Sequence, residues 1–500
     1  MSLSTAASDR SFSPGRRSIL KAAGALSILS CCPLKGWLWA QAGSPAPTGS
    51  VMDILSRYMA AAAEHPLPPD VEEQAKFHVL DTFAAMISGS RLPPGRAATR
   101  FLAANQSGGD ATVVASRLLC DPLEAALVNG ILAHSDESDD SNAPSQSHPG
   151  CSIVSASLAS GEHFDISGQR FLRAVALGYD IGPRMTIALG GAKFQDDSHR
   201  STHSIAGTFG SAAAAGCTAG LSAQQMRWLL DYAAQQASGT AAWQRDTQHV
   251  EKASVFAGFP ARNGVTAALL VSSGASGVDD ILSGSDNFFL AFQPDANPAA
   301  LIDRLGQRYE VARTNIKKWT VGSPIQATLD ALESLITKNH LDVSRVQKVV
   351  VRVATREASV VNDREMPDIC LQHMAAVMLV DKTVSFASAH DIARMRDPAV
   401  LRERAKITLV ADEELQKRMP HREAIVEITL NDGSQLSEHV RAVRGTAEDP
   451  MSREEVIAKA SDLIGPVAGG HASTQLIHQV LSLESLKSIR SLRPLLQAGA

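Results

Sequence analysis

AIVEITLNDGSQLSEHV, residues 424–440, decides how this chain is divided. Apolar and polar residues alternate along it, β-branched side chains are frequent, and Asn431, Asp432 and Gly433 supply a hairpin turn. RVQKVVVRVA (345–354) and AKITLV (405–410) share that texture, whereas DICLQHMAAVMLVD (368–381) and DPAVLRERAK (397–406) read as helices. Outside this stretch the period changes. DPLEAALVNGILAHS (121–135), FLRAVALGYDIGPRMTIAL (171–189) and SAQQMRWLLDYAAQQA (222–237) are helical, and SREEVIAKASDLI (452–464) returns to helix near the end. A further helix is expected over 71–88, with Asp70 and Glu73 as a capping box and Gly89 as its stop. SIAGTFGSAAAAGCTAGL (204–221) is so rich in Gly and Ala that it predicts a buried helix gripped closely by neighbours.

The expected fold class is therefore mainly α with an inserted α+β domain. A large helical domain is built from both ends of the mature chain, residues 51–312 and 446–500, and a smaller lid domain covers 313–445. A length of 500 residues suits two or three domains, and only 5% aromatic residues fits helices crossing on small side chains.

Residues 1–42 read as a twin-arginine-type export signal. Arg16 and Arg17 precede Ile19, Leu20 and Lys21, an apolar run follows, and Ala40-Gln41-Ala42 offers a small-residue cleavage site. The expectation is a periplasmic protein that meets a membrane only during export. A net charge of −5, with no basic stripe interleaved with aromatics, gives no reason to expect nucleic acid. Two of the six cysteines fall in the signal, and the other four, Cys120, Cys151, Cys217 and Cys370, are scattered without zinc or disulfide-scaffold spacing.

The chemistry concentrates in NGILAHSDESDDSNAPSQSHPG, residues 129–150, which sets Glu137, Asp139, Asp140 and Ser141 ahead of His148. Such a loop brings hydrogen-bond acceptors, a hydroxyl and an imidazole to one place. HVEKASVFAGFPARNG (249–264) and NIKKWTVGSPIQ (315–326) add Lys252 and Lys317. Together they suggest proton transfer on an anionic substrate. Taken alone, the aspartates serve equally well as helix caps or Asx turns, and the lysines as solvated surface residues. The acidic run lacks the sharp-turn glycine of a calcium loop, no second histidine follows at helical ligand spacing, and neither cluster cysteines nor a nucleotide-binding glycine motif is present. No cofactor and no metal are expected.

Several segments, in order, resemble the MmgE/PrpD family, which includes 2-methylcitrate dehydratase, cis-aconitate decarboxylase and an iminodisuccinate epimerase. They are AKFHVLDTFAAMISG (75–89), the loop around NGILAHSDESDDS with HPG, HSIAGTFGSAAAA (203–215), HVEKASVFAGFPARNGVTAALL (249–270), IKKWTVGSPIQATLDAL (316–332) and GTAEDPMSREEVIAKASDL (445–463). The resemblance implies a helical domain and a lid with the site between them, usually in a homodimer. It also implies a small-molecule carboxylate substrate, with dehydration, decarboxylation and epimerisation all open.

Family positions carry over to Glu137, Asp139, Asp140, Ser141 and His148 in the loop. Glu137 and Ser141 replace an aspartate and a threonine of the decarboxylase pattern, with one extra residue before His148. The second histidine of the pattern falls at Ser201, which makes His203 its substitute. Lys252 matches the first lysine, with one residue more than usual before Gly258; Lys317 matches the second; Arg262 takes a place often basic or polar; His373 stands where the decarboxylase has a tyrosine. The expected catalytic set is His148, His203, Lys252, Lys317, Asp139 and Asp140, with Glu137, Ser141, Arg262 and His373 binding substrate. The leading expectation is a metal-independent lyase or isomerase acting on a di- or tricarboxylic acid, resembling 2-methylcitrate dehydratase. The alternative is a periplasmic carboxylate-binding protein on the same fold.

Overall fold

The computed structural model describes residues 50–105 and 108–499. The expected export signal, 1–42, lies outside the described residues. From residue 48 onward the chain forms one unit, within which buried apolar side chains separate into two cores.

The first core surrounds the Thr202–Ala219 helix, buried along nearly its whole length. Helices Pro122–Ala133, Pro149–His163, Gly168–Leu189 and Phe259–Ser272 pack around it. Small residues allow this crowding. A Cβ on Gly264 would lie 2.4 Å from the backbone nitrogen of Ala212, so the two helices meet where a side chain cannot fit. The helix expected over 71–88 runs from Pro69 to Gly89, without the capping box. Proline at the first helical position displaces Asp70 into the first turn, where its carboxylate faces the positive end of the helix instead of closing a box.

The second core lies on a four-stranded sheet, β1 (Val346–Ala354), β2 (Ile407–Asp412), β3 (Ala424–Leu430) and β4 (Gln435–Val440), in the order β2-β1-β3-β4. β1 runs parallel to β2 and antiparallel to β3, with Val351 opposite both Leu409 and Val426. β3 and β4 form the expected hairpin, and Gly433 supplies its positive φ of 82°. Val349, Val351, Val353, Val426 and Ile428 point to one face, which helices Gln326–Lys338 and Leu371–Asp381 cover.

The chain enters and leaves this sheet region at adjacent points. Ile316 N–H donates to Gly445 O at 3.0 Å, and a Cβ on Gly445 would fall 1.8 Å from Ile316 O, so glycine is required at the crossing. Beside it, Asn315 and Ser141 exchange backbone hydrogen bonds of 2.8 and 3.0 Å. That short bridge ties the acidic loop to the segment carrying Lys317. The Arg453–Ala468 helix then returns to the first core against the Pro69–Gly89 helix. No helix among the described residues is long and apolar enough to cross a membrane.

Candidate active site

The loop from His134 to His148 joins two helices of the first core and is buried over most of its length. Its two ends converge on one carboxylate. Asp139, fully buried, accepts from His134 Nδ1 at 2.8 Å and from His148 Nδ1 at 3.1 Å. Both imidazoles therefore keep their Nδ1 protons, which leaves Nε2 as the lone-pair nitrogen of each neutral ring. Burial, aided by the nearby Lys317 ammonium, lowers His148 to about 4 against the pull of Asp139. The ring is thus neutral at ordinary pH, and its Nε2 is a base with no hydrogen-bond partner among the described residues.

Glu137 sits beneath both lysines. Its carboxylate accepts from Lys252 Nζ, lies 3.5 Å from Lys317 Nζ and is 3.8 Å from His249 Nδ1. Burial opposes its ionisation, but Lys252 and Lys317 outweigh that and hold the carboxyl well below its ordinary range. Lys317 also donates to the Glu137 backbone carbonyl at 2.7 Å and approaches Asp139 to 3.7 Å. A third buried lysine, Lys459 of the C-terminal helix, donates to the next carbonyl, Ser138 O, at 2.7 Å and pairs with Asp81 at 2.6 Å. Adjacent peptide groups of the loop are thus pinned by lysines from opposite ends of the fold.

His203 lies in the first turn of the buried Gly-Ala helix. Ser201, the position matched without a gap, caps that helix by accepting from Ser204 N–H, so the site histidine is His203. Its ring stacks on Phe256 at 3.7 Å, stands 5.4 Å from His148, and has both nitrogens buried without a partner. His134 lies nearly parallel to the same phenyl ring at 4.7 Å, while Lys252 Nζ stands 5.1 Å from its centroid. Phe256 belongs to a π turn, Ser254–Gly258, inside the helix that carries Lys252. The extra residue noted in the sequence between Lys252 and Gly258 is accommodated there, since a π turn adds one residue to a helix without breaking it.

Four expected site residues are placed differently. Asp140 faces away from the histidines: it accepts from His78 Nδ1 at 2.8 Å, from Tyr179 OH and from Gly150 N–H at 2.9 Å, and so anchors the loop. Ser141 contributes its backbone to the Asn315 bridge and lines a separate cavity of about 230 Å³ together with Lys317, Arg313 and Arg441. Arg262 is exposed and pairs with Glu124 at 3.2 Å. His373 is fully buried in the second core, both nitrogens unpartnered, in the field of Arg404, Arg394 and Asp391. None of the loop's carboxylates faces it.

Sequence reading passed over His134, His249, Asp136, His390 and Asp368. His249, held at φ 62°, completes the wall beside Glu137 and His134. Asp136 pairs with His390 of the lid at 2.9 Å, and Asp368 lies 3.9 Å from the same nitrogen. These residues, with His249, floor a cleft of about 950 Å³. The first two histidines stood in stretches already singled out; what one-dimensional spacing hid was their convergence. The same holds for metal ligation. His134, Asp139 and His148, and likewise His134, Glu137 and His249, present donor atoms within 4.8 Å of one another. The sequence argument against a metal relied on spacing along the chain, which folding bypasses.

Two family models match the chain: the MmgE/PrpD N-terminal domain over residues 53–300 and the MmgE/PrpD C-terminal domain over 319–484. Among curated proteins, a cis-aconitate decarboxylase of Aspergillus terreus is 26% identical over 91% of this chain and 97% of its own length. A cis-aconitate decarboxylase-like protein of Aspergillus oryzae is 26% identical over 90% and 98%. The cis-aconitate decarboxylase of Homo sapiens is 25% identical over 85% and 90%.

Proposed function

The chain belongs to the MmgE/PrpD family, and we propose that it is a lyase that acts on a small di- or tricarboxylic acid by proton transfer at a carbon next to a carboxylate. The observation that carries this reading is the pairing of His148 with Asp139. One carboxylate fixes the tautomer of a neutral imidazole whose Nε2 is free to take a proton, while ammonium groups stand on the other side.

Lys252 is the better substrate cation of the two, its side chain 17% exposed against 2% for Lys317. Its ammonium has three donors, of which Glu137 uses one. A substrate carboxylate beside Lys252 places the adjacent C–H toward the histidines. As the proton leaves, charge spreads into the substrate carboxylate as an enolate, and the lysine field stabilises it most at that moment. Lys317 acts on the loop, holding Glu137 and the Asp139 region in place. Similarity to cis-aconitate decarboxylases over nearly the whole chain supports loss of CO2 as one outcome, and loss of water uses the same base and cation. We place the activity in the periplasm, on the strength of the twin-arginine motif at Arg16 and Arg17, and in a homodimer.

Proton NMR in D2O of the purified protein with cis-aconitate, citrate and 2-methylcitrate tests the reading. New vinyl signals, or deuterium replacing a proton next to a carboxylate, are expected. Thermal stabilisation by these acids with no turnover and no exchange would instead favour a carboxylate-binding protein.

A further inference from the structure

The cleft of about 950 Å³ contains a carboxyl that the proposed mechanism has not used. Asp368 sits in a short turn of the lid and is 3% exposed, yet it lines that cleft together with Asp136, His249 and His390. No hydrogen bond reaches its carboxylate oxygens among the described residues, and its nearest cation is His390 Nε2 at 3.9 Å.

That cation is already committed. His390 donates Nδ1–H to the Phe386 carbonyl at 2.8 Å, so Nε2 must carry the second proton of its charged form, and it presents this to Asp136 at 2.9 Å. One imidazolium thus neutralises one carboxylate and leaves the other uncompensated. Burial, with Glu137 and Asp136 adding like charge against His390 and Lys252, raises Asp368 to about 7. A buried carboxyl in apolar surroundings that keeps its proton near neutrality is the form in which an acid group donates.

We propose that Asp368 is the general acid of the reaction, brought by the lid to the floor of the cleft, with the His390–Asp136 pair as the contact that seats it. This rests on the lyase reading. In a dehydration, His148 Nε2 takes the proton from carbon and the C–H electron pair becomes the C=C bond. The C–O bond breaks, and its oxygen leaves as water with the Asp368 proton. Where CO2 is lost instead, the C–C electron pair stays on the substrate and the same carboxyl protonates the carbon. In either case Asp368 is left as a carboxylate and recovers its proton from water in the cleft.

The test compares the full-length wild type with Asp368→Asn and Asp368→Glu, using proton NMR turnover of cis-aconitate, citrate and 2-methylcitrate and calorimetric binding of tricarballylate. Asp368→Asn is expected to lose kcat on the order of 100-fold while tricarballylate affinity holds, and Asp368→Glu to recover part of the rate. Retention of kcat by Asp368→Asn overturns the assignment. So does a fall in tricarballylate binding that matches the fall in kcat in both variants, since the carboxyl would then only shape the cleft. A wild type inert toward all three acids overturns the lyase reading itself, and this role with it.

Discussion

Lys317 lies 180 residues from Glu137 in the chain, yet its ammonium donates to that residue's backbone carbonyl at 2.7 Å and lies 3.5 Å from its carboxylate. The lysine is 3% exposed, so removing it leaves a buried carbonyl without its donor and halves the cationic company of Glu137. Lys317→Met is expected to lower both the thermal midpoint and turnover, with a stability cost of about 1–3 kcal/mol for the unsatisfied group. Lys252→Met, by contrast, removes a more exposed cation. It is expected to raise KM for a carboxylate substrate more than it lowers the melting temperature, and melting curves beside steady-state rates separate the two lysines.

Asp139 accepts one hydrogen bond with each oxygen, from His134 and from His148. Asp139→Asn keeps the shape and offers one acceptor and one donor. The histidine facing the new N–H₂ must turn its Nδ1 into an acceptor and move its proton to Nε2, which ends its use as a base. The expected result is a fall in kcat on the order of 10²–10⁴-fold with KM little changed. Histidine NMR signals reporting an Nε2–H tautomer would identify the cause, and unchanged turnover would remove Asp139 from the mechanism.

Much of this site was legible because Glu137, Asp139 and His148 share one polar loop between apolar helices. The division of the chain was equally legible, since a period of two in 424–440 contrasts with helical spacing on either side. What could not be read was which side of an element meets the cavity. The π turn at Ser254–Gly258 rotates everything after it by about 100° relative to a regular helix, so periodicity counted through it misplaces Arg262. His373 was placed by likeness to a tyrosine position, but in an almost uniformly apolar helix no pattern tells core from cavity. Asp140 and Asp139 are neighbours with opposite duties, and only the partners His78 and Tyr179 distinguish them.

His373 gives a prediction of opposite sign to those for the site. Burial lowers its ring to about 4, with Arg404 and Arg394 acting the same way. An unfolded chain protonates this histidine below its ordinary value of 6.5, while the folded chain does so only near 4, so stability is fully present above pH 6.5 and is lost as pH falls toward 4. Two buried nitrogens without partners also cost desolvation at every pH. His373→Leu is expected to raise the melting temperature, flatten its decline between pH 6.5 and 4, and leave turnover unchanged. A loss of activity at constant stability would return this residue to the substrate site. His148 titrates with the same sign, so some acid slope should survive in the variant.

The two groups of donors within 4.8 Å make divalent zinc an informative probe. To bind across His134, Asp139 and His148, the ion must displace the Nδ1 protons that both imidazoles donate to Asp139, or take the Nε2 lone pairs that would accept a substrate proton. Either way the base is consumed, and bound metal and proton abstraction by His148 exclude one another. Added zinc is therefore expected to inhibit, more strongly as pH rises because binding releases protons, and excess EDTA to restore the rate. EDTA alone should leave turnover of the untreated enzyme unchanged. If chelation abolishes turnover and metal restores it, the histidines around Asp139 are ligands and the proton-transfer assignment to His148 falls.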